Sequence, residues 1–274
     1  MKVRDCCRTC LQGLAEKTNL LSGGNEEVLK RCFLIIDELW SDSATPTFIS
    51  NTLLRYIKRE TGAADPYKEI KQYEFRQATD AFRLMCGNFP DTFEAAIKLS
   101  AIGNSTDFFV NQGYDTKDLR LAGKVDKIKN AIYINRKDVL MIGDNTGDFI
   151  FDMPLIRHLE NNGRRVYYAV RANPVQNDLS LEDVNRFGFN KMFDNFISTG
   201  NDEVGVNRNE MSRAMMSLWR SDAVVIAKGM GNYETISEFH HERPVVHVMR
   251  VKCAAVADDT GETKGTYATI TGGE

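Results

Sequence analysis

The chain reads as an α/β protein: a mostly parallel sheet covered on both faces by helices and preceded by a helical region. Three observations predict this. From Asn25 to about Lys129, apolar residues recur at helical spacing. After Asn135, short runs rich in Val, Ile and Phe alternate with helical stretches. Several of those runs end abruptly in polar, glycine-bearing segments. Alternating strands and helices build a parallel sheet with helices on both sides. The change of pattern separates a helical region, residues 1–135, from an α/β core, residues 136–274, with the two expected to form one unit.

Taken in order, Val28, Cys32, Ile35, Ile36 and Leu39 form the first amphipathic stripe. Pro46 suits the first turn of a second helix, which runs through Ile49, Leu53, Leu54 and Ile57 to Gly62. Asp65-Pro66 opens a third, with Ile70, Tyr73, Ala78, Ala81, Phe82 and Met85 as its inner face. Asn88 and Pro90 then punctuate before Phe93, Ala96, Ile97 and Leu99, and residues 115–130 are again helical in pattern. Strands are expected at 139–142, 166–170, 193–197, 223–227 and 245–251, with helices such as 149–161 and 209–219 between the first four.

Composition narrows the function classes. A hydrophobic content of 42% with 27% charged residues is that of a globular chain, and 274 residues suffice for a substantial core. A net charge of −3 and the lack of any basic tract argue against a nucleic-acid partner. No apolar run reaches membrane-spanning length, and MKVRDCCRTC lacks the apolar stretch of a secretory signal. A cytoplasmic location with reduced thiols is therefore expected for the six cysteines. Cys7 and Cys10 form a lone CxxC beside Cys6, in helical surroundings and without the further ligands a structural zinc site needs.

Three strand exits carry the chemistry. The first reads Gly143-Asp144-Asn145-Thr146-Gly147-Asp148, the second runs from Arg171 to Asp178 (RANPVQND), and the third from Lys228 to Glu234 (KGMGNYE). Asp144 and Asn145 could cap the following helix, or could offer oxygen ligands to a divalent cation. Parallel strands of one sheet place such exits along one edge. That edge would then hold Asp144 and Asp178, cations at Arg171 and Lys228, and a glycine turn entering a helix whose amides suit an anion. A metal beside a phosphate cradle is the equipment of phosphoryl chemistry. The glycine turn matches neither the dinucleotide fingerprint nor the P-loop, since Glu234 stands where a third glycine would be. Gly103-Asn104-Ser105-Thr106-Asp107 also stands out, although its first two residues could simply end a helix.

These motifs together resemble the metal-dependent damage-control phosphatases, first catalogued as a domain of unknown function and later named for an acidic-residue methyltransferase claim. The resemblance spans nearly the whole chain. Cys7–Cys10, Asp65-Pro66-Tyr67, Asn104 with Asp107, and Lys252-Cys253 are similar to the prokaryotic branch. It implies a three-layer α/β/α, Rossmann-like core and a divalent metal held by Asp144, Asn145 and Asp178. The metal would be Mg²⁺ or Mn²⁺, with Co²⁺ or Ni²⁺ also compatible with such donors. The implied reaction is hydrolysis of a small phosphorylated metabolite, such as a sugar phosphate or a damaged side product. Asp144, Asp178 and Lys228 would then be catalytic. Asn104, Asp107, Arg171, Gly229, Gly231, Asn232 and Glu234 would line the substrate site, with Lys228 on the phosphate. Attack by water and an aspartyl-phosphate route through Asp144 both remain open.

Rival readings remain. GDNTGD is similar to the late acidic motif of haloacid-dehalogenase phosphatases, but the nearest candidate for their DxD nucleophile, Asp37-Glu38-Leu39, lies in a helical stripe. A carboxyl methyltransferase would need a glycine-rich methyl-donor loop after a first strand, and none is evident. A metal- or nucleotide-binding module without turnover is the non-enzymatic alternative.

Overall fold

A computed structural model describes residues 1–105, 121–134 and 137–272 of the chain. Its first three helices form a bundle: α1 (Asp5–Leu21), α2 (Glu26–Leu39) and α3 (Pro46–Thr61). Local chemistry sets their ends. The Asn25 side chain accepts from the amides of Glu27 and Val28 at the start of α2, and Thr45 accepts from Phe48 N ahead of Pro46 at the start of α3. Gly62, at φ +70°, closes α3 in the left-handed region that glycine tolerates. The stripes expected from sequence meet in one apolar cluster of Leu11, Ala15, Cys32, Ile35, Ile36, Ile49, Leu53 and Ile57.

Two further helices follow and join the core beneath the sheet. They are α4 (Lys68–Met85), whose Tyr73 is 60% exposed rather than inward, and α5 (Phe93–Gly103), which is buried along almost its whole length. The expected helix at 115–130 is only partly realised. Its described portion gives a two-residue strand, β1 (Leu121–Ala122), and then α6 (Val125–Tyr133).

The remaining elements alternate: β2 (Val139–Ile142), α7 (Asp148–Asn161), β3 (Val166–Val170), α8 (Leu181–Arg186), β4 (Phe196–Ser198), α9 (Arg213–Arg220), β5 (Val224–Lys228), α10 (Gly229–Ile236), β6 (Val245–Arg250), α11 (Ala254–Thr260) and β7 (Tyr267–Gly272). The seven strands are ordered β1-β7-β6-β5-β2-β3-β4, with β2 through β6 mutually parallel and β7 antiparallel to β6. The mixed α/β fold with a mostly parallel sheet is the expected one. The closing strand β7 and the edge strand β1 were not expected.

The unbroken apolar run of β2 has a direct explanation. Val139 and Met141 face the core shared with α4, α5 and α7, whereas Leu140 and Ile142 face a second core with Met215, Trp219, Ile236 and Phe239. A central strand covered on both faces needs apolar residues at every position. Each of these four fully buried side chains contributes roughly 1.5–3 kcal/mol of burial.

Candidate active site

Sheet order fixes where the site lies. The chain passes from β2 to β3 and β4 on one side, then returns to place β5 and β6 on the other, so the connections diverge between β2 and β5. A crevice at the carboxyl ends of the strands opens at such a switch point. The β2 exit begins at Gly143, where a Cβ would come within 2.6 Å of the Tyr168 ring. Only a bare backbone passes there.

The second exit folds back onto the first. Leu179 N donates to Asp144 O at 2.8 Å, and Thr146 donates through N and Oγ1 to Asn177 O at 2.9 and 3.0 Å. Asn145 and Asp178 pair as an isolated antiparallel bridge. The turn that makes this possible holds Gln176 at φ +40°, a strained conformation of the kind that concentrates at functional sites. Asp144 and Asp178 are thereby brought together although 34 positions separate their numbers.

The third exit completes the enclosure. Gly229, at φ +76°, opens α10, and a Cβ there would lie 1.8 Å from Asp144 Oδ2. Glycine is required twice over, by backbone conformation and by clearance. Asn232 spans the two central exits, donating through Nδ2 to Gly143 O at 2.9 Å and to Lys228 O at 2.6 Å. Its Oδ1 accepts from Arg171 Nη2 at 3.1 Å. Arg171 donates through Nε to Asp178 Oδ2 at 2.8 Å and through Nη1 to Gly205 O. Its guanidinium is thus committed to protein partners and orients Asp178. Asn104, at the end of α5, donates to Asp144 Oδ2 at 2.8 Å and to Asp148 Oδ2 at 2.9 Å.

Electrostatics set this edge apart from the rest of the molecule. Burial, reinforced by Asp178 and then Asp148, pushes the Asp144 carboxyl up to about 8. Asp148 is also raised, first by its own burial, although Lys228 pulls the other way. Burial opposes the charge of Lys228, but Asp152 and Asp148 outweigh it and hold the ammonium above the ordinary lysine value. Lys252 lies near enough to draw Asp144 and Asp148 down.

Comparison with known proteins bears on this arrangement. Residues 3–267 match the model of the damage-control phosphatase ARMT1-like domain. The chain belongs to that family. A damage-control phosphatase from Pyrococcus horikoshii is 30% identical over 97% of this chain and 96% of its own length. One from Archaeoglobus fulgidus is 24% identical, with 97% of each chain covered. The crystal structure of a DUF89 family protein from Pyrococcus horikoshii superposes with a TM-score of 0.85 at 27% identity, covering 99% of both chains.

Within this damage-control phosphatase fold, the expected site residues fall into three groups. Asp144, Asn145, Asp178, Asn104, Lys228 and Gly229 converge at the switch point. Arg171 and Asn232 lie beside them as braces. Gly231 instead abuts Val204, where a Cβ would come within 2.7 Å of Val204 Cγ1. The Glu234 carboxyl is pushed up to about 7 by burial and lies towards Cys7 and Cys253. Asp107 lies outside the described residues. Asp37, the rival nucleophile, is an exposed side chain within helix α2, paired with Arg8, and not at a strand end. None of the six cysteines is in a disulfide, and Cys7 is buried while Cys10 is exposed.

Several participants had no assigned role: Ser100, Asp148, Asp152, Tyr168 and Lys252. Asp148 and Asp152 stand four apart on α7, both fully buried. Two acids four apart in the otherwise apolar first two turns of α7 were the available signal.

Among the described residues, no three His, Cys, Asp or Glu side chains converge as a metal-binding group. The expected set of two carboxylates and one carboxamide is leaner than that. It nevertheless fits a hard divalent cation. The described hydrogen bonds engage Oδ2 of Asp144 and Oδ2 of Asp178. Asp148 Oδ1 is buried without a partner among the described residues. Four buried aspartates (Asp144, Asp148, Asp152 and Asp178) face two buried cations, Lys228 and Arg171. Ionised together, the four would outnumber those two cations, and burial together with that crowding raises the carboxyls of Asp144 and Asp148.

A groove of about 590 Å³ lies elsewhere, at the amino ends of β5 and β6, between Lys127, Lys137, Arg220 and Arg243. Its chemistry is largely internal. Arg208 is paired with Glu242, and Arg243 donates to the backbone oxygens of Leu218, Trp219, Ser221 and Ala223. Charge and geometry both favour the strand exits as the reactive site. No helix among the described residues is long and apolar enough to cross a membrane.

Proposed function

We propose that this family member is a metal-dependent phosphomonoesterase acting on small phosphorylated metabolites, with Asp144, Asn145 and Asp178 holding Mg²⁺ or Mn²⁺ and Co²⁺ or Ni²⁺ as possible substitutes. The observation that carries the reading is the charge imbalance at the switch point, where clustered aspartates lie against Lys228 and the first amides of α10. A divalent cation in that position supplies Lewis-acid withdrawal of charge from phosphoryl oxygens.

The chain's own groups do the rest. Asn104 and Arg171 aim the carboxylates of Asp144 and Asp178. Lys228 offers a fixed positive charge to the transferring group, and the unsatisfied amides at the start of α10 add donors without reorganisation. The buried setting of Asp144 (8% exposed) and Asn145 (9%) limits the reacting end of the substrate to a small group. Cysteines without disulfides accord with a reducing, cytoplasmic setting.

Chelation of a purified sample should abolish phosphate release from a panel of sugar phosphates and nucleotides, and added Mg²⁺ or Mn²⁺ should restore it. Undiminished turnover in metal-free buffer would sink the proposal.

A further inference from the structure

Lys228 is fully buried, and its environment is more specific than neutralising one charge requires. Its ammonium donates to Ser100 O at 2.8 Å and to Asp152 Oδ1 at 2.6 Å, while Asp148 Oδ2 stands off at 3.7 Å. An ammonium has three donors. Two are thus directed at α5 and α7, and the third remains for the side on which Asp148 and Asp144 lie.

Asp152 is itself held at both oxygens. Ser100 Oγ donates to Oδ1 at 2.6 Å, and Tyr168 Oη, from β3, donates to Oδ2 at 2.7 Å. Ser100 therefore serves twice, with its carbonyl on Lys228 and its hydroxyl on the carboxylate that grips Lys228. A long flexible side chain is in this way fixed by three elements, α5, α7 and β3, none of which is its own strand.

We infer that Asp152, braced by Tyr168 and Ser100, is a positioning residue that orients Lys228 towards the substrate phosphate. The inference rests on the reading of Lys228 as the phosphate contact. Among the described residues, the Asp152 carboxylate accepts hydrogen bonds from the lysine and its two braces, so Lys228 is the group through which it bears on the substrate. The alternative is that the Lys228–Asp152 pair only fastens α7 to β5.

A double-mutant cycle separates these. Asp152→Asn keeps the shape, because the carboxamide can still accept from Lys228 and Ser100 while donating to Tyr168 Oη, but it removes the charge. With p-nitrophenyl phosphate as probe, kcat/KM should fall on the order of a hundredfold, the scale of a misplaced catalytic group. The affinity for Mn²⁺ alone should stay within about twofold, because the metal donors are untouched.

In a Lys228→Ala background the same Asp152→Asn change should cost nothing further. Tyr168→Phe, which deletes one brace and retains the ring packing, should give a smaller loss, expressed mainly in weaker inhibition by inorganic phosphate. An additive loss in the double variant, or Tyr168→Phe kinetics equal to the parent, would overturn the inference. If Lys228→Ala itself turned over like the parent, the reading of Lys228 as the phosphate contact would fail instead. If Asp152→Asn does not fold, the Tyr168→Phe measurements, alone and in the Lys228→Ala background, decide the question.

Discussion

Lys71 and Lys228 are both inaccessible to solvent and both grip aspartates, yet their surroundings differ in kind. Lys71, on α4, donates to Asp183 at 2.8 Å and to Asp65 at 3.4 Å, and Arg186 approaches the same two acids at 3.5 and 3.8 Å. Two cations meet two carboxylates. Asp183 is further occupied in a capping box with Ser180 at the start of α8. This balanced cluster pins the helical region to the sheet domain. Around Lys228, the buried aspartates Asp144, Asp148, Asp152 and Asp178 outnumber the buried cations Lys228 and Arg171. Balanced buried charge belongs to architecture, whereas unbalanced buried charge marks a place built to receive an ion or a substrate.

Substitutions can break or sharpen that contrast. The largest effect is expected at the switch point. Asp178→Asn should weaken metal binding and turnover together, each by at least ~100-fold, because a full negative charge leaves the metal's surroundings. Lys228→Ala should reduce turnover on a similar scale, roughly 100-fold or more, while sparing metal affinity. Calorimetry with Mn²⁺ alongside phosphate release reads both quantities. Parent-like metal binding by Asp178→Asn would show that the donors are assigned wrongly.

Lys71→Met should behave in the opposite manner. Removing one partner of a buried pair costs about 3 kcal/mol or more, here moderated by Arg186. Urea unfolding should show that loss, while kcat per folded molecule remains at the parent value. A matching loss of kcat would erase the distinction between the two lysines.

The smallest effect concerns pH. A carboxyl whose folded pKa exceeds its unfolded value keeps a proton that the unfolded chain releases, so stability falls as pH rises towards the folded pKa. Asp144, raised to about 8, and Glu234, raised to about 7, both act in this sense. His247 is depressed from 6.5 to about 3 by burial and then by His240, and so acts in the opposite sense only below pH 6.5. Metal-free protein should therefore lose stability between pH 6.5 and pH 8. Asp144→Asn should flatten the upper part of that slope, and saturating Mg²⁺ should do the same in the parent. Thermal unfolding across a pH series measures it, and a slope indifferent to Asp144→Asn would refute the assignment.

Much of this was legible in the sequence, and the reasons are local. β2 and β3 matched to the residue because each is an apolar run cut off by a polar exit. The next strands slipped by one to three positions, where Phe193 and Ala223 prolong the apolar pattern beyond the ladder. β1 has two residues and no periodicity to read, and β7 is defined by its antiparallel partner rather than by its own composition. Asp144, Asn145, Asp178 and Lys228 were visible as neighbours at one sheet edge because strand exits announce themselves. The inward commitment of Arg171 and the service of Ser100 and Tyr168 to Asp152 were not, since each depends on contacts between residues far apart in the chain.

The pairing of β2 with β5 has a consequence for how the molecule comes into being. Residues 139–142 must find residues 224–227, across an intervening segment that itself builds β3, β4 and the helices between them. Closing so long a loop is entropically slow and follows the local structure it encloses. Asn104, Asp144, Asp178 and Lys228 meet only once that closure is made. A partly folded chain can therefore bring Asp144 and Asp178 together through β2 and β3, but it has no Lys228 beside them until β5 docks.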